Sequence, residues 1–223
     1  MKQYILKVIS VEKVTHDVLQ IRLEKPAHFQ FRPGQATDLA INKEGWKNEI
    51  RPFTFTALPS ADYLEFNIKT YPQHQGVTNQ LLQLKPDDEL IISQPWGTIA
   101  YKGPGVFIAG GAGITPFLAI LRLLNSENKL ADNKLIFANK TANDIIHKEE
   151  FENLLGTNFI NILSDEEHAT YAHGFISKDF LQQHLAGPTH YYYVCGPRPM
   201  MNSVLNQLHE LGVKDEWIVK EEF

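Results

Sequence analysis

Up to about Gly97 the chain alternates apolar and polar residues in short segments divided by turn residues. They read YILKVISVEKV from Tyr4, VLQIRLEKP from Val18, ATDLAI from Ala36, RPFTFTAL from Arg51, YLEFNIKTY from Tyr63 and ELIISQPWG from Glu89. A period of two over such lengths belongs to half-buried strands. Six of them, with one helical insert over 77–84, predict a closed antiparallel barrel of Greek-key type. From Lys102 the rhythm changes. GVFIAG, KLIFANK, FINILSD, YYYVCG and WIVKEEF are apolar runs, and helical patterns such as PFLAILRLLN, KEEFENLL and ISKDFLQQHL lie between most of them. Strand alternating with helix predicts a parallel sheet covered on both faces. The turn-rich segment Tyr101-Lys102-Gly103-Pro104-Gly105 marks the change, so the predicted domains are 1–101 and 102–223. No internal repeat relates the halves.

Composition narrows the function classes. The 223 residues carry a formal net charge of −5 and no Lys/Arg-rich run, which argues against a general nucleic-acid binder. A single cysteine excludes an internal disulfide, a Cys-rich zinc site and a four-thiolate iron–sulfur cluster within this sequence. The nine histidines are scattered, without HExxH or paired-ligand spacing, so no metal site is expected. There is no GxSxG elbow of the α/β hydrolases. The N-terminal stretch is too short for a signal peptide, and no apolar run reaches membrane-spanning length, so a soluble, cytoplasmic protein is expected.

Three stretches carry candidate chemistry. Gly110-Gly111-Ala112-Gly113-Ile114-Thr115-Pro116 follows an apolar strand and precedes a helical run, with Thr115 suited to the N-cap and Pro116 to the first helical position. Glycines admit close backbone approach and a helix N-terminus presents unpaired N–H groups, which together make a diphosphate cradle. A tight strand-to-helix turn is the alternative reading. The loop is neither GxGxxG nor a P-loop. Tyr193-Val194-Cys195-Gly196-Pro197-Arg198-Pro199-Met200 ends the most aromatic strand and opens a helix that Gly212 stops. A cysteine at the carboxyl end of a parallel strand lies where open α/β sheets place ligands, or else it is a small buried hydrophobe. Third, Arg51-Pro52-Phe53-Thr54 sets a cation, a flat ring and a hydroxyl on one strand.

The order of motifs, PGQ at 33–35, RPFT at 51–54, GVT at 76–78, GGAGITP at 110–116, CGPRPM at 195–200 and a terminal EEF, resembles the ferredoxin–NADP reductase family, including its flavodoxin reductase-like members, over essentially the whole chain. The resemblance implies a flavin barrel followed by a nicotinamide-dinucleotide domain, with hydride passing between rings stacked at their interface. It puts Arg51 on a flavin phosphate, Phe53 against the isoalloxazine and Thr54 near flavin N5, with Pro52 where the strand can forgo a ladder bond. Phe53 departs from the tyrosine common in the family and lacks its hydroxyl. Gly76, Val77 and Thr78 match the family's second phosphate turn, which favours FAD over FMN; Ile68 and Lys69 fall beside it, Lys69 being an exposed strand charge in the alternative reading.

In the second domain the resemblance assigns the dinucleotide to Gly110, Gly111, Gly113, Thr115 and Pro116, to Asn139 and Lys140, and to Cys195, Gly196, Pro197 and Met200. Thr54, Cys195 and Glu221 then form the catalytic set, with Phe223 covering the flavin and moving aside for the nicotinamide. A charged tail is the other reading of EEF. NADPH-using relatives place arginine after the serine matched by Ser164; here Asp165, Glu166 and Glu167 follow it and would repel a 2′-phosphate, so NADH is expected over NADPH, with Lys140 the opposing feature. The function so implied is an NAD(P)H reductase passing electrons to a flavodoxin, a ferredoxin, an oxygenase component, a haem protein or a small acceptor. A non-catalytic flavin- or nucleotide-sensing subunit is the rival.

Overall fold

The computed structural model describes residues 2–97, 99–130, 132–185, 187 and 190–221. Two sheets organise them. The first is antiparallel and built from β1 (Tyr4–Lys13), β2 (Val18–Glu24), β3 (Ala36–Ile41), β4 (Arg51–Thr54), β5 (Tyr63–Lys69) and β6 (Glu89–Ile92), in the order β4-β3-β6-β1-β2-β5. Its two edges meet through a Phe55–Phe66 bridge and a hydrogen bond from the Thr56 amide to the Glu65 carbonyl (2.8 Å), so the sheet curls into a barrel. Alternation dictates what fills it. Leu19, Ile21 and Leu23 of β2 and Leu64, Phe66 and Ile68 of β5 point inward and pack with Phe29, Phe31 and Phe55. The aromatic centre is tight, with Phe31 stacked on Phe55 at 4.5 Å between centroids and Phe66 tilted against Phe55 at 5.1 Å.

The helical insert is shorter than its sequence pattern. Helix α1 (Val77–Gln80) passes directly into a 3₁₀ turn over Leu81–Gln83. Gly34, in the PGQ turn, is required by the fold itself. Its φ is +89°, and a Cβ there would lie 2.1 Å from the Ile99 carbonyl oxygen. The turn thus lets the barrel close on the segment leading to the second sheet.

The second sheet is parallel, with β7 (Gly105–Gly110), β8 (Lys134–Asn139), β9 (Phe159–Leu163), β10 (Ala172–His173), β11 (Tyr191–Cys195) and β12 (Ile218–Lys220) in the order β10-β9-β8-β7-β11-β12. The two-residue β10 has no signal in the pattern. Every residue of β7 is buried, as a central strand covered on both faces requires. Phe107, Ala109, Leu135 and Phe137 pack on one face with Phe117 and Leu121 of α2 (Thr115–Ser126) and Phe151 of α3 (Lys148–Leu155). Val106, Ile108 and Ile136 pack on the other with Leu181 of α4 (Lys178–His184) and Val204 and Leu208 of α5 (Arg198–Glu210). Strand order reverses between β7 and β11, and a crevice outside the carboxyl ends of those two strands is where such sheets bind ligands.

The turn-rich segment between the sheets is held in place. The Tyr193 hydroxyl donates to the Gly103 carbonyl (2.7 Å) and accepts from the amides of Lys102 (2.9 Å) and Gly103 (3.1 Å). Among the described residues no helix is long and apolar enough to cross a membrane.

Candidate functional site

The carboxyl ends of β7 and β11 bring the two glycine turns into contact. A Cβ on Gly110 would meet Met200 Sδ at 2.4 Å, and one on Gly113 would meet the Cys195 carbonyl oxygen at 2.3 Å. A Cβ on Gly196 would come within 2.7 Å of Met200 Cε. These three glycines are therefore small because the turns interlock. Gly111 differs: its φ is +50° and its Cβ direction opens onto empty space, so this residue can bring backbone against a ligand. Backbone turns helical over Gly111–Ile114 before α2 begins. Thr115 consequently is not the N-cap its sequence position suggests: it lies within the helix, and its hydroxyl donates to the Ala112 carbonyl (3.0 Å). Pro116 sits in the first turn, where its missing N–H costs nothing.

Cys195 is 4% exposed, and its thiol donates to Glu221 Oε2 at 3.6 Å. Burial, with the Glu221 carboxylate beside it, pushes the thiol pKa well up. Burial likewise raises the Glu221 carboxyl, against the lowering effect of that hydrogen bond. The thiol therefore stays protonated and is a donor, not a nucleophile. Pro197 precedes α5 as its N-cap residue. Phe223 lies outside the described residues.

At the carboxyl end of β8, Asn139 is 9% exposed and its Nδ2 has no hydrogen-bond partner among the described residues. A buried amide donor left this way marks a place for an acceptor. Lys140 is exposed beside it, and its carbonyl accepts from the Asp165 amide (2.9 Å). Ser164 donates to Asp165 Oδ1, and Glu166 Oε2 accepts from the Ala142 amide (2.8 Å), so acids line the ends of β8 and β9.

On the barrel, β4 holds Arg51 and Pro52 exposed and Phe53 and Thr54 half-buried. The Arg51 guanidinium is 51% exposed, near Glu49 at 3.5 Å and donating to the Ile50 carbonyl (2.7 Å). Phe53 rests partly on the barrel core. Gly76 caps α1 without a side-chain cap bond, and the amides of the first residues, Val77 and Thr78, have no partner within the helix. Two expected cofactor residues are occupied otherwise. The Ile68 side chain is buried in the barrel core, and Lys69 bonds Asp17 at 2.7 Å and approaches Asp144 at 3.9 Å. Lys69 is thus neither an exposed charge nor a ready phosphate ligand. His16, Asp17 and Asp144 cluster there, but the ammonium already supplies the cation.

Sequence reasoning missed what joins the halves. The outward row of β5, Glu65, Asn67 and Lys69, meets the second sheet's layer at Arg122, His147 and Asp144 respectively. Glu65 and Asn67 are only 2% and 4% exposed because α2 and α3 lie over them. The available signal was the lone charged residue in PFLAILRLLN, an arginine amid apolar neighbours.

Comparison with known proteins follows this division. The family model of an oxidoreductase FAD-binding domain matches residues 5–101 and that of an oxidoreductase NAD-binding domain matches 107–206. The reductase component of propane 2-monooxygenase from Mycolicibacterium goodii is 29% identical over 97% of this chain and 66% of that protein. NADH-cytochrome b5 reductase 1 of Aspergillus oryzae is 31% identical over 90% of this chain and 76% of its own. The chain spans 61% to 66% of the length of the propane 2-monooxygenase reductase relatives it matches. In fold, a ferredoxin NADP+ reductase from Neisseria gonorrhoeae with bound FAD and NADP superposes with a TM-score of 0.85 at 18% identity, covering 99% of this chain and 98% of that one. With both domain models matched in order around the same two sheets, and a reductase of 31% identity matched over 76% of its length, the chain belongs to the FAD- and NAD-binding oxidoreductases.

Proposed function

We propose that the protein is an FAD-dependent NAD(P)H reductase, with residues 1–101 holding the flavin and 102–223 the nicotinamide dinucleotide. Electrons then leave to a separate acceptor, of the kind named by its relatives, an oxygenase component or a cytochrome b5; a flavodoxin or ferredoxin is a further candidate. The observation that carries the reading is the Cys195–Glu221 contact at the topological switch point, against the interlocked glycine turns. Bound on the barrel, the flavin would supply the conversion of a two-electron hydride transfer into onward electron transfer.

The residues fit such ligands. Arg51 offers a surface guanidinium fork to a phosphate, and the amides at Val77 and Thr78 offer a second phosphate contact. Phe53 presents the part of its ring not resting on the core, and Thr54 presents a hydroxyl that can donate or accept as a ring nitrogen changes protonation. Gly111 brings backbone to the dinucleotide, and the Asn139 amide donor is available to it. Cys195 and Glu221 shape the nicotinamide pocket and exclude water from it; Phe223 would cover the flavin until the nicotinamide displaces it. NADH is favoured because Asp165 and Glu166 stand where a 2′-phosphate would need cations.

The test is a visible spectrum of the purified protein followed by anaerobic titration with NADH and, separately, NADPH. A flavin spectrum bleached by NADH at the higher specificity constant is expected. A colourless protein that added FAD does not reconstitute would refute the reading, and a preference for NADPH would refute its nucleotide part alone.

A further inference from the structure

Arg122 is the one lysine or arginine in α2, and every one of its resolved bonds runs across the junction of the two sheets or braces that junction. Nη1 donates to the Thr56 carbonyl (2.8 Å) and to Glu65 Oε1 (2.7 Å), both on the barrel. Nε and Nη2 donate to the two carboxylate oxygens of Glu150 on α3, at 2.6 and 2.8 Å. Glu65 Oε2 accepts from Arg22 Nε (3.1 Å), and Oε1, which already accepts from Arg122, also accepts from the Thr56 hydroxyl (3.1 Å). Asn67 donates to that hydroxyl (2.9 Å) and pairs with His147 Nε2 (2.9 Å). The network is closed, crossing the junction at two points.

Its ends matter more than its middle. Thr56 lies two residues beyond Thr54, the last residue of the strand that carries Arg51 and Phe53, whereas α2 starts at the glycine turn. Arg122 lies seven residues into that helix, roughly 10 Å from its start at 1.5 Å per residue. One guanidinium thus links a strand and a helix that present the two proposed ligand platforms. An ion pair this deeply buried gives little net stability over an apolar replacement, but a bidentate fork fixes one geometry. We propose that Arg122 is a positioning residue for hydride transfer, setting the approach of the two platforms through Thr56, Glu65 and Glu150. The inference rests on the assignment of flavin to β4 and of nucleotide to the glycine turn.

The experiment is anaerobic stopped-flow reduction of the FAD-loaded protein by NADH, comparing wild type with Arg122→Gln, Arg122→Lys and Glu150→Gln. Arg122→Gln is expected to keep its FAD and to bind NADH within about threefold of wild type. Its limiting rate of flavin reduction should fall on the order of 10- to 100-fold, since a misplacement near 1 Å has that effect. Charge-transfer absorbance between flavin and nicotinamide should weaken in parallel, and Arg122→Lys and Glu150→Gln should fall between. Lys43→Gln, which breaks the Lys43–Asp88 pair on the barrel surface (3.1 Å), should leave the rate unchanged. A full limiting rate in Arg122→Gln overturns the proposal. So does loss of FAD in both Arg122 variants, which would make the residue part of the barrel's folding. Failure of the functional reading shows separately, as wild-type protein that NADH does not reduce.

Discussion

At the scale of single residues, the β4 strand assigns unequal shares of one ring. Phe53 packs partly on the barrel core and leaves only its remaining face for a flat ligand. It also lacks the phenolic oxygen that the family's tyrosine would offer. Phe53→Tyr is therefore expected to tighten FAD binding by roughly fivefold, about 1 kcal/mol for one added hydrogen bond. Fluorescence titration of FAD checks this, and unchanged or weaker affinity would show that no acceptor lies within reach. Residue identity in sequence order was enough to nominate Arg51, Thr54, Cys195 and Glu221, and the structure brings the last two into contact. It was not enough for Lys69 or Thr115. Whether a lysine faces a phosphate or an Asp17 carboxylate depends on a partner 52 positions away, and local spacing does not encode such a partner.

At the scale of elements, periodicity located eleven of the twelve strands among the described residues and all their longer helices, because each has a face to bury. The exception, β10, is too short to show a period. What the pattern could not reveal is the second covering of β5, whose polar row reads as solvent-facing yet lies under α2 and α3. The inward row behaves as the alternation implies. Phe55 is fully buried between Phe31 and Phe66, so Phe55→Ala should destabilise the barrel by about 3–5 kcal/mol through lost contacts and an unfilled cavity. Urea unfolding provides the measure. A loss below about 1 kcal/mol would mean that neighbouring rings collapse into the space.

For the whole molecule, the junction should be sensitive to acid. Burial and the nearby Arg122 lower the His147 pKa from its ordinary 6.5, with Arg22 adding to this and Glu150 and Glu65 opposing it. Burial would raise the Glu65 carboxyl, but Arg122, Arg22 and Thr56 outweigh it and hold it below 4.5. Both groups take up protons more readily unfolded than folded. Their contributions are therefore complete above pH 6.5 for His147 and above pH 4.5 for Glu65, and they decline as pH falls through each lowered value. Thermal midpoints measured from about pH 7.5 down to pH 5 should drop, with His147→Gln flattening the upper part of that drop. Coincident wild-type and variant profiles would refute the role of His147.

The pairing of β11 with β12 sets Val194 opposite Lys220, so the next step along both strands delivers Cys195 to Glu221. Strand β12 is three residues long and stands at the sheet edge, with Val219 buried on one face and Ile218 packed on the other. A slip of one residue would bring Lys220 to the thiol in place of the acid. The thiol's neighbour would change sign from anion to cation, and a cation beside a cysteine favours thiolate. Alignment of a short edge strand thus decides whether this sulfur is an inert hydrogen-bond donor or a reactive, oxidisable centre.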